Sequence, residues 1–315
     1  MARRESDSTQ VSPTISRLSM LASAICMGNV GLLVTFLGNY PVYTIVLFRG
    51  IFGTLFLTLF MLRNHSLSRK FLKESLKLHW KPLLISGIVY PFAIYFYFIN
   101  ITISGYAVAA FLLYTAGIFV LLLIFFTRTE KLSKINIISF ILAIAGVAII
   151  MEFWEGNIFT MGLLVGILSG FTLSLFVFFK KKIYIAREEN KSQLTSEGDF
   201  DTFLAWFPTL FVIIIFLPFG LTDVVRLTPI ELIFCLLLGF IPTALAFTLY
   251  NVGVKNDKGG NIIILSYIEP VVATINTIIF LQAFSVFTMI GGFLIILANI
   301  ITLKYSKHHD DLEIH

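Results

Sequence analysis

Residues 159–182, FTMGLLVGILSGFTLSLFVFFKKK, contain 21 consecutive uncharged residues and end in three lysines. An apolar helix needs about 20 residues to cross the ~30 Å hydrocarbon core of a bilayer, whereas a membrane β-strand needs about half as many. Because such runs recur, the sequence predicts an all-α integral membrane protein with ten transmembrane helices. They are predicted at 18–37, 41–62, 82–100, 105–126, 135–151, 159–179, 203–220, 231–250, 261–282 and 286–304.

The basic residues fall on alternate connections. Of the 23 Lys and Arg residues, all except Arg49 and Arg226 lie in the termini, at the last residue of the tenth span (Lys304) or in the connections after the second, fourth, sixth and eighth spans. Cytoplasmic loops collect Lys and Arg, so both termini are predicted to be cytoplasmic and the chain to be a multi-pass protein of the cell membrane. Because the charges are spread over six segments, they fit a lipid bilayer as partner and not a nucleic acid.

The ten spans divide into two sets of five. Residues 109–150 align without a gap on 262–303, at an offset of 153. A unit with an odd number of spans must be inserted in opposite orientations, so the two five-helix repeats are predicted to be inverted. The predicted parts are a cytoplasmic tail (1–17), the first repeat (18–151), the second repeat (159–304) and a second cytoplasmic tail (305–315).

Helix-breaking residues recur at matching places in the two halves. Pro91 in the third span corresponds to Pro242 in the eighth, and Gly117 in the fourth corresponds to Pro270 in the ninth. Inverted repeats with broken helices at corresponding positions are typical of secondary transporters, whose substrate site lies near the membrane midplane.

Several stretches resemble those of one known family. Leu265-Ser-Tyr-Ile-Glu-Pro-Val-Val-Ala273 is similar to a Leu-Glu-Pro-Val segment that opens a ninth helix, and Leu238-Gly-Phe-Ile-Pro-Thr-Ala-Leu-Ala-Phe247 to a Gly-x-x-x-Thr-Ala-Leu-Ala-Tyr run. Met27-Gly28-Asn29 resembles a Trp-Gly-x-Asn motif, with Met replacing Trp and Asn one place early. Arg49 lies where this family often has an arginine, and Thr115-Ala116-Gly117 where it reads Thr-Ala-Pro.

The family is the drug/metabolite transporter superfamily, specifically its ten-helix EamA-type members, and the resemblance covers residues 18–304. It implies a ten-helix fold with both termini inside, a central cavity and the transport of small organic solutes.

One acidic and one basic residue lie well inside the spans: Glu269 and Arg49. A charge at the centre of a membrane helix costs at least ~2.5–3.5 kcal/mol on insertion scales and usually faces the protein interior or a water-filled path. Counted from their helix ends, the depths of the two residues differ by only about 6 Å. They are therefore predicted to form a pair or to flank one cavity. The alternative is structural, with Glu269 protonated and Arg49 bound to carbonyls.

Further candidates surround these two residues. Pro270 lacks an N–H, so the carbonyl of Ser266 loses its helical donor. A free carbonyl beside the Glu269 carboxyl is suited to a cation, a proton or an ammonium group, and the alternative is a packing kink. The predicted cavity lining is polar and aromatic: Asn29, Tyr90, Tyr95, Tyr97, Tyr114 and Tyr267. Tyrosines near span ends also serve as interfacial anchors.

Together these features favour a secondary transporter and no enzyme or cofactor chemistry. All five histidines lie outside the spans, so no intramembrane His metal site is expected. Arg49 suits a carboxylate and Glu269 an ammonium group, which favours an amino-acid-like solute. By family analogy export is the expected direction, and a proton is a candidate coupling ion. One alternative is an exchanger of phosphorylated sugars or nucleotide sugars, although such ligands need several basic residues in the cavity and the spans contain one arginine. The other is a non-transporting lipid-handling or sensory membrane protein.

Overall fold

The computed structural model describes residues 12–64, 66–127, 134–152, 154, 160–190, 199–254, 263–283 and 285–310. These residues form helices and turns without a strand, so the all-α prediction is confirmed. The predicted tail residues 1–11 and 311–315, and connecting residues 128–133, 155–159, 191–198 and 255–262, lie outside the described residues. The α-helices are α1 Pro13–Met27, α2 Val30–Phe36, α3 Val42–Arg63, α4 Arg69–Ser104, α5 Tyr106–Leu113, α6 Ala116–Phe126, α7 Lys134–Ile150, α8 Met161–Glu189, α9 Phe200–Gly220, α10 Pro229–Gly239, α11 Ala246–Val254, α12 Ile268–Leu281 and α13 Val286–Asp310.

Within the described ranges, six helical segments are long and apolar enough to cross a membrane. They are Thr14–Phe36, Val42–Arg63, Trp80–Ser104, Met161–Tyr184, Phe200–Asp223 and Pro229–Gly253. Four shorter apolar helices are Tyr106–Val120, Ile137–Ile150, Leu265–Leu281 and Val286–Ile301. These segments follow the order of the predicted spans. The count of ten spans and the cytoplasmic placement of the termini stay predictions.

Helix α4 begins well before the third predicted span. The Ser68 side chain accepts a hydrogen bond from the N–H of Phe71 at 3.2 Å and so caps the helix. The Phe71 ring is fully buried and packs edge-on against Phe203, with ring centroids 5.9 Å apart. The connection predicted at 63–81 is therefore largely helical, because it contains good helix formers and one apolar anchor.

Several helix–helix contacts made by the first half have a counterpart among those made by the second half. Helix α4 packs on α8 as α1 packs on α11, and α4 packs on α9 as α3 packs on α10. In the pairs α3–α9 and α7–α13, a helix of one half packs on its own counterpart in the other half. In the α7–α13 pair, a Cβ added at Gly146 would lie 2.6 Å from the Gly291 carbonyl oxygen, so glycine allows the two backbones to approach closely.

Hydrogen bonds tie the helices together at one end of the bundle, the predicted cytoplasmic end. The Ser66 hydroxyl accepts from the N–H of Asp199 at 2.6 Å. The Tyr184 hydroxyl donates to an Asp201 carboxylate oxygen at 2.8 Å, and the Asn251 amide donates to the Asp201 carbonyl at 3.0 Å. These bonds join the start of α9 to α8, to α11 and to the turn that follows α3.

Two hydrogen bonds link the halves at the opposite, predicted outer end. The Tyr40 hydroxyl donates to Glu231 Oε2 at 2.7 Å, and the Thr44 hydroxyl donates to Asp223 Oδ2 at 2.6 Å. The bond to the Glu231 carboxylate raises the pKa of Tyr40 to about 12. This phenol therefore stays protonated and remains a donor at neutral pH.

Candidate functional site at the centre of the bundle

Arg49 lies in the first half of α3 and is 7% exposed. Its Nε donates to Thr243 Oγ1 at 3.0 Å, and its guanidinium carbon lies 5.4 Å from the centroid of the Phe98 ring. Within the described structure, neither terminal nitrogen of Arg49 makes a hydrogen bond. The guanidinium is therefore held at Nε, while the two terminal nitrogens of its planar fork remain without a described partner.

The position of Thr243 follows from Pro242. Proline has no N–H, so the carbonyl of Leu238, four residues earlier, loses its helical donor. The chain forms a π-helical turn at Phe240–Leu245, and the Thr243 hydroxyl donates to the Leu238 carbonyl at 3.1 Å. The hydroxyl oxygen keeps its lone pairs and accepts the bond from Arg49. The break in the eighth span thus orients the arginine of the second.

Glu269 lies in the first turn of α12 and is also 7% exposed. Its Oε2 accepts from the Tyr114 hydroxyl at 2.8 Å, and the same hydroxyl lies 3.0 Å from the Ser266 carbonyl oxygen. This is the carbonyl that Pro270 leaves without a helical donor. One hydroxyl proton of Tyr114 is therefore offered to two acceptors.

Arg49 and Glu269 are both buried, and the described residues show no direct contact between them. No described hydrogen bond or ion pair joins them, because Arg49 bonds to Thr243 and Glu269 to Tyr114. The hydroxyls of Tyr90 and Tyr97 are buried and have no hydrogen-bond partner in the part of the chain that the structure describes. The described residues thus show no direct Arg49–Glu269 pair, and a cavity flanked by both residues stays a prediction.

Asn29 lies at a break in the first span, between α1 and α2. The Gly28 carbonyl accepts bonds from the Tyr106 hydroxyl and from Asn276 Nδ2, the latter at 2.9 Å. Asn276 Nδ2 also lies 3.1 Å from Asn29 Oδ1. A Cβ added at Gly28 would lie 3.1 Å from the Glu269 carbonyl oxygen, so the break lies against the start of α12.

Sequence reasoning missed Asn276, Tyr106 and the break itself. Asn276 follows Glu269 by seven residues, two helical turns, so it shares the face of α12 that carries the acid. That spacing was the available signal. Tyr106 carries no such signal, because it lies next to the end of its span, where tyrosine is common.

Two further predicted site residues, Tyr267 and Tyr95, make aromatic ring contacts. Tyr267 packs edge-on against Tyr114, its counterpart in the repeat alignment, with centroids 5.2 Å apart. Tyr95 packs on Phe216 at 5.2 Å, and no described hydrogen bond ties it to the centre.

The predicted breaks differ in form. Pro91, predicted as a helix break, does not interrupt α4, because one proline removes a single hydrogen bond and the helix continues on both sides of it. The interruption in the fourth span falls between α5 and α6, just before Gly117, and Asn299 Nδ2 donates to the Tyr114 carbonyl there at 3.0 Å. Pro270 lies in the first turn of α12. Among the described residues, no group of three or more His, Cys, Asp or Glu side chains is placed to hold a metal ion.

Residues 14–152 and 160–304 each match the sequence model of the EamA-like transporter family. The chain belongs to this family. The resemblance to EamA-type members of the drug/metabolite transporter superfamily is thus confirmed, and the chain is a multi-pass membrane protein of a family of transporters.

A solved structure, described as the crystal structure of a protein, is similar in fold to this EamA-like chain. Its TM-score is 0.57 at 18% sequence identity, over 93% of this chain and 98% of the other. At this identity the likeness concerns the fold alone. No curated protein matches the chain.

Proposed function

We propose that this EamA-like protein is a secondary transporter that moves a small amino-acid-like solute across the cell membrane by alternating access. The observation that carries the proposal is the central site. Buried Arg49 from the first half keeps a guanidinium fork that no described residue pairs, and buried Glu269 from the second half is held by Tyr114 alone among the described side chains. A polar site between two repeats is where secondary transporters bind their solutes.

Each end of the solute has a matching group. A carboxylate fits the planar fork of Arg49, and the unpaired hydroxyls of Tyr90 and Tyr97 supply further donors in the same region. An ammonium group fits the Glu269 carboxylate and the Ser266 carbonyl oxygen, which both face the Tyr114 hydroxyl. Because acceptors and donors lie on different helices, a solute with both charges would bridge the two halves.

Alternating access is supported by polar contacts at both ends of the bundle. At the predicted outer end, the bonds Tyr40–Glu231 and Thr44–Asp223 join the halves, and at the predicted inner end Ser66–Asp199 does so. Each end is thus joined by only a few of these hydrogen bonds. One such bond contributes about 0.5–1.5 kcal/mol net, and more where a carboxylate is the acceptor. Bonds of this strength can break and re-form as the site opens to one side and then the other.

Proton coupling follows from the single proton of Tyr114. When Glu269 is ionised, Tyr114 donates to the carboxylate. When Glu269 binds a proton, it can itself donate to the Tyr114 oxygen, and the Tyr114 proton turns to the Ser266 carbonyl. Protonation would thus change the contact between the fourth and ninth spans, and export of the solute against proton uptake is the coupling that we propose.

The alternatives fit the site less well. A phosphorylated sugar or nucleotide sugar carries two or more negative charges, and Arg49 is the cation that the described residues place at the centre. A non-transporting lipid-handling or sensory protein would need both Arg49 and Glu269 as packing groups, which leaves the unpaired fork of Arg49 unexplained.

The test is solute counterflow into liposomes that contain the purified protein. A thermal-shift screen of amino acids, amines, sugars and nucleotides selects the labelled solutes. We expect an amino acid to exchange in the wild type and not in Arg49→Gln, with release from preloaded cells giving the direction. If the wild type moves none of the screened solutes, the protein is not a transporter of this kind. If phosphorylated sugars exchange, the alternative of a phosphorylated-sugar exchanger is correct.

A further inference from the structure

A cavity of about 180 Å³ lies away from Arg49, at the end of the bundle that the charge pattern places outside. Its walls are the junction of α4 and α5, the last turns of α12 and the first turn of α13. At ~30 Å³ per water, the volume corresponds to about six waters or one small organic molecule.

The first turn of α5 presents unpaired donors to this cavity. Gly105 is the N-cap, and no side chain accepts from the first N–H groups of the helix. Within the described structure, the N–H groups of Tyr106, Ala107 and Val108 have no acceptor. Helix N-termini carry the positive end of the helix dipole, and such groups need a side chain, water or ligand as partner.

The backbone explains why the cap is missing. Gly105 has φ of +83° and ψ of 163°, a conformation open in practice only to glycine. A Cβ added there would meet nothing within 4 Å, so the space beside it is open. The position that must be glycine therefore brings no capping side chain. By contrast, the Ser285 hydroxyl caps the start of α13 by accepting from the N–H of Thr288 at 3.2 Å.

A second observation points to a ligand at the same place. Thr288 lines the cavity and is 6% exposed, and its hydroxyl makes no hydrogen bond among the described residues. The hydroxyls of Thr274 and Thr277, which also line the cavity, donate to carbonyls of their own helix at 2.8 Å. Thr288 thus has a free donor where the α5 N–H groups are also free.

We propose that this outer cavity binds the carboxylate of a small organic acid, held by the α5 N–H groups and the Thr288 hydroxyl. No Lys or Arg is among its described lining residues, so binding depends on hydrogen bonds and the helix dipole, an arrangement that suits a single carboxylate. As an outer station for the transported solute, the site rests on the proposed function, but binding of the carboxylate can be measured without transport.

The test is the rise in melting temperature of the detergent-purified protein on titration with acetate, against chloride and methylammonium at equal ionic strength. Arg49→Gln removes any contribution from the central site. Ala107→Asp places a carboxylate at the second helical position of α5, where it stabilises the helix and repels the anion, and Ala107→Asn is its neutral control. Thr288→Val removes the unpaired hydroxyl while keeping the shape.

We expect the acetate-dependent shift to survive Arg49→Gln, to be lost in Ala107→Asp, and to need about tenfold more acetate in Thr288→Val. If Ala107→Asp fails to fold, the higher acetate requirement of Thr288→Val is the test of the site. A shift lost in Arg49→Gln but intact in Ala107→Asp and Thr288→Val would overturn the outer site and leave the proposed transport function standing. Equal shifts with chloride, or none with acetate, would overturn the site as well. If liposomes with the wild-type protein show no transport, the proposed function is refuted, and the acetate-dependent shift in melting temperature still tests the outer site.

Discussion

At the scale of single residues, the chemistry rests on a few polar groups in an apolar bundle. Arg49 is held by Thr243 and Phe98, and Glu269 by Tyr114, so each charged group has a structural partner and a free side. A purely structural arginine would use its terminal nitrogens on carbonyls, as buried polar groups normally do. The free side is what makes these residues candidates for binding and not only for packing.

Arg49→Lys separates charge from geometry. Lysine keeps the positive charge but loses the planar fork and the Nε bond to Thr243. We expect the KM for carboxylate solutes to rise about tenfold, since charge-assisted hydrogen bonds contribute ~1.5–3 kcal/mol. The KM for decarboxylated amine analogues should stay unchanged. Equal changes for acids and amines, measured in liposomes, would contradict a carboxylate at Arg49.

Glu269→Gln tests proton coupling. Glutamine still accepts from the Tyr114 hydroxyl but does not titrate, so the fold should remain intact while the pH dependence of transport disappears. Initial rates across acid and alkaline buffers measure this, with Tyr114→Phe as the companion variant that removes the donor and keeps the acid. Unchanged pH dependence in Glu269→Gln would remove the residue from the coupling mechanism.

At the scale of helices, breaks leave carbonyls that side chains from other helices satisfy. The Gly28 carbonyl is satisfied by Asn276 and Tyr106, and the Tyr114 carbonyl by Asn299. Lipid offers no donor for such carbonyls, so a break is satisfied by a polar group on a packed neighbour, as here, or within its own span, as Thr243 does for the Leu238 carbonyl. The breaks and the interhelical bonds therefore belong together.

Gly117→Ala tests one such match. A Cβ at this position would lie 2.1 Å from Asn299 Oδ1, so Asn299 must move and its bond to the Tyr114 carbonyl is strained or lost. We expect a loss of about 1–3 kcal/mol in stability, seen as a lower melting temperature in detergent. Adding Asn299→Ala relieves the clash, so the double variant should lose less than the sum of the two single variants. Strict additivity would show that the two residues do not interact.

At the scale of the whole molecule, each half matches the same family model, and several helix pairs keep corresponding neighbours after exchange of the halves. Arg49 and Glu269 come from different halves, so a relative motion of the halves would change the distance between them. This arrangement connects the architecture to the proposed alternating access.

The proposed orientation is tested by single cysteines in a variant with Cys26 and Cys235 replaced by alanine. A cysteine at Gly156 should react with an impermeant thiol reagent in intact cells, because its connection is nearly free of basic residues. A cysteine at Ser192 should react only after permeabilisation. Reversed labelling would refute the cytoplasmic termini and the inverted arrangement of the repeats.

The sequence by itself determined the helical membrane architecture, because apolar run length and flanking charge are local properties that the bilayer selects directly. It also marked Arg49, Glu269, Pro242 and Pro270, because a charge or a proline is conspicuous within an apolar span. Counting along a helix gives only the depth of a residue. Whether Arg49 meets Glu269 or Thr243 depends on helix rotation and on which neighbours pack together. The tertiary structure alone decided that Arg49 bonds to Thr243 and Glu269 to Tyr114, since packing between the two halves fixes rotation and lateral position.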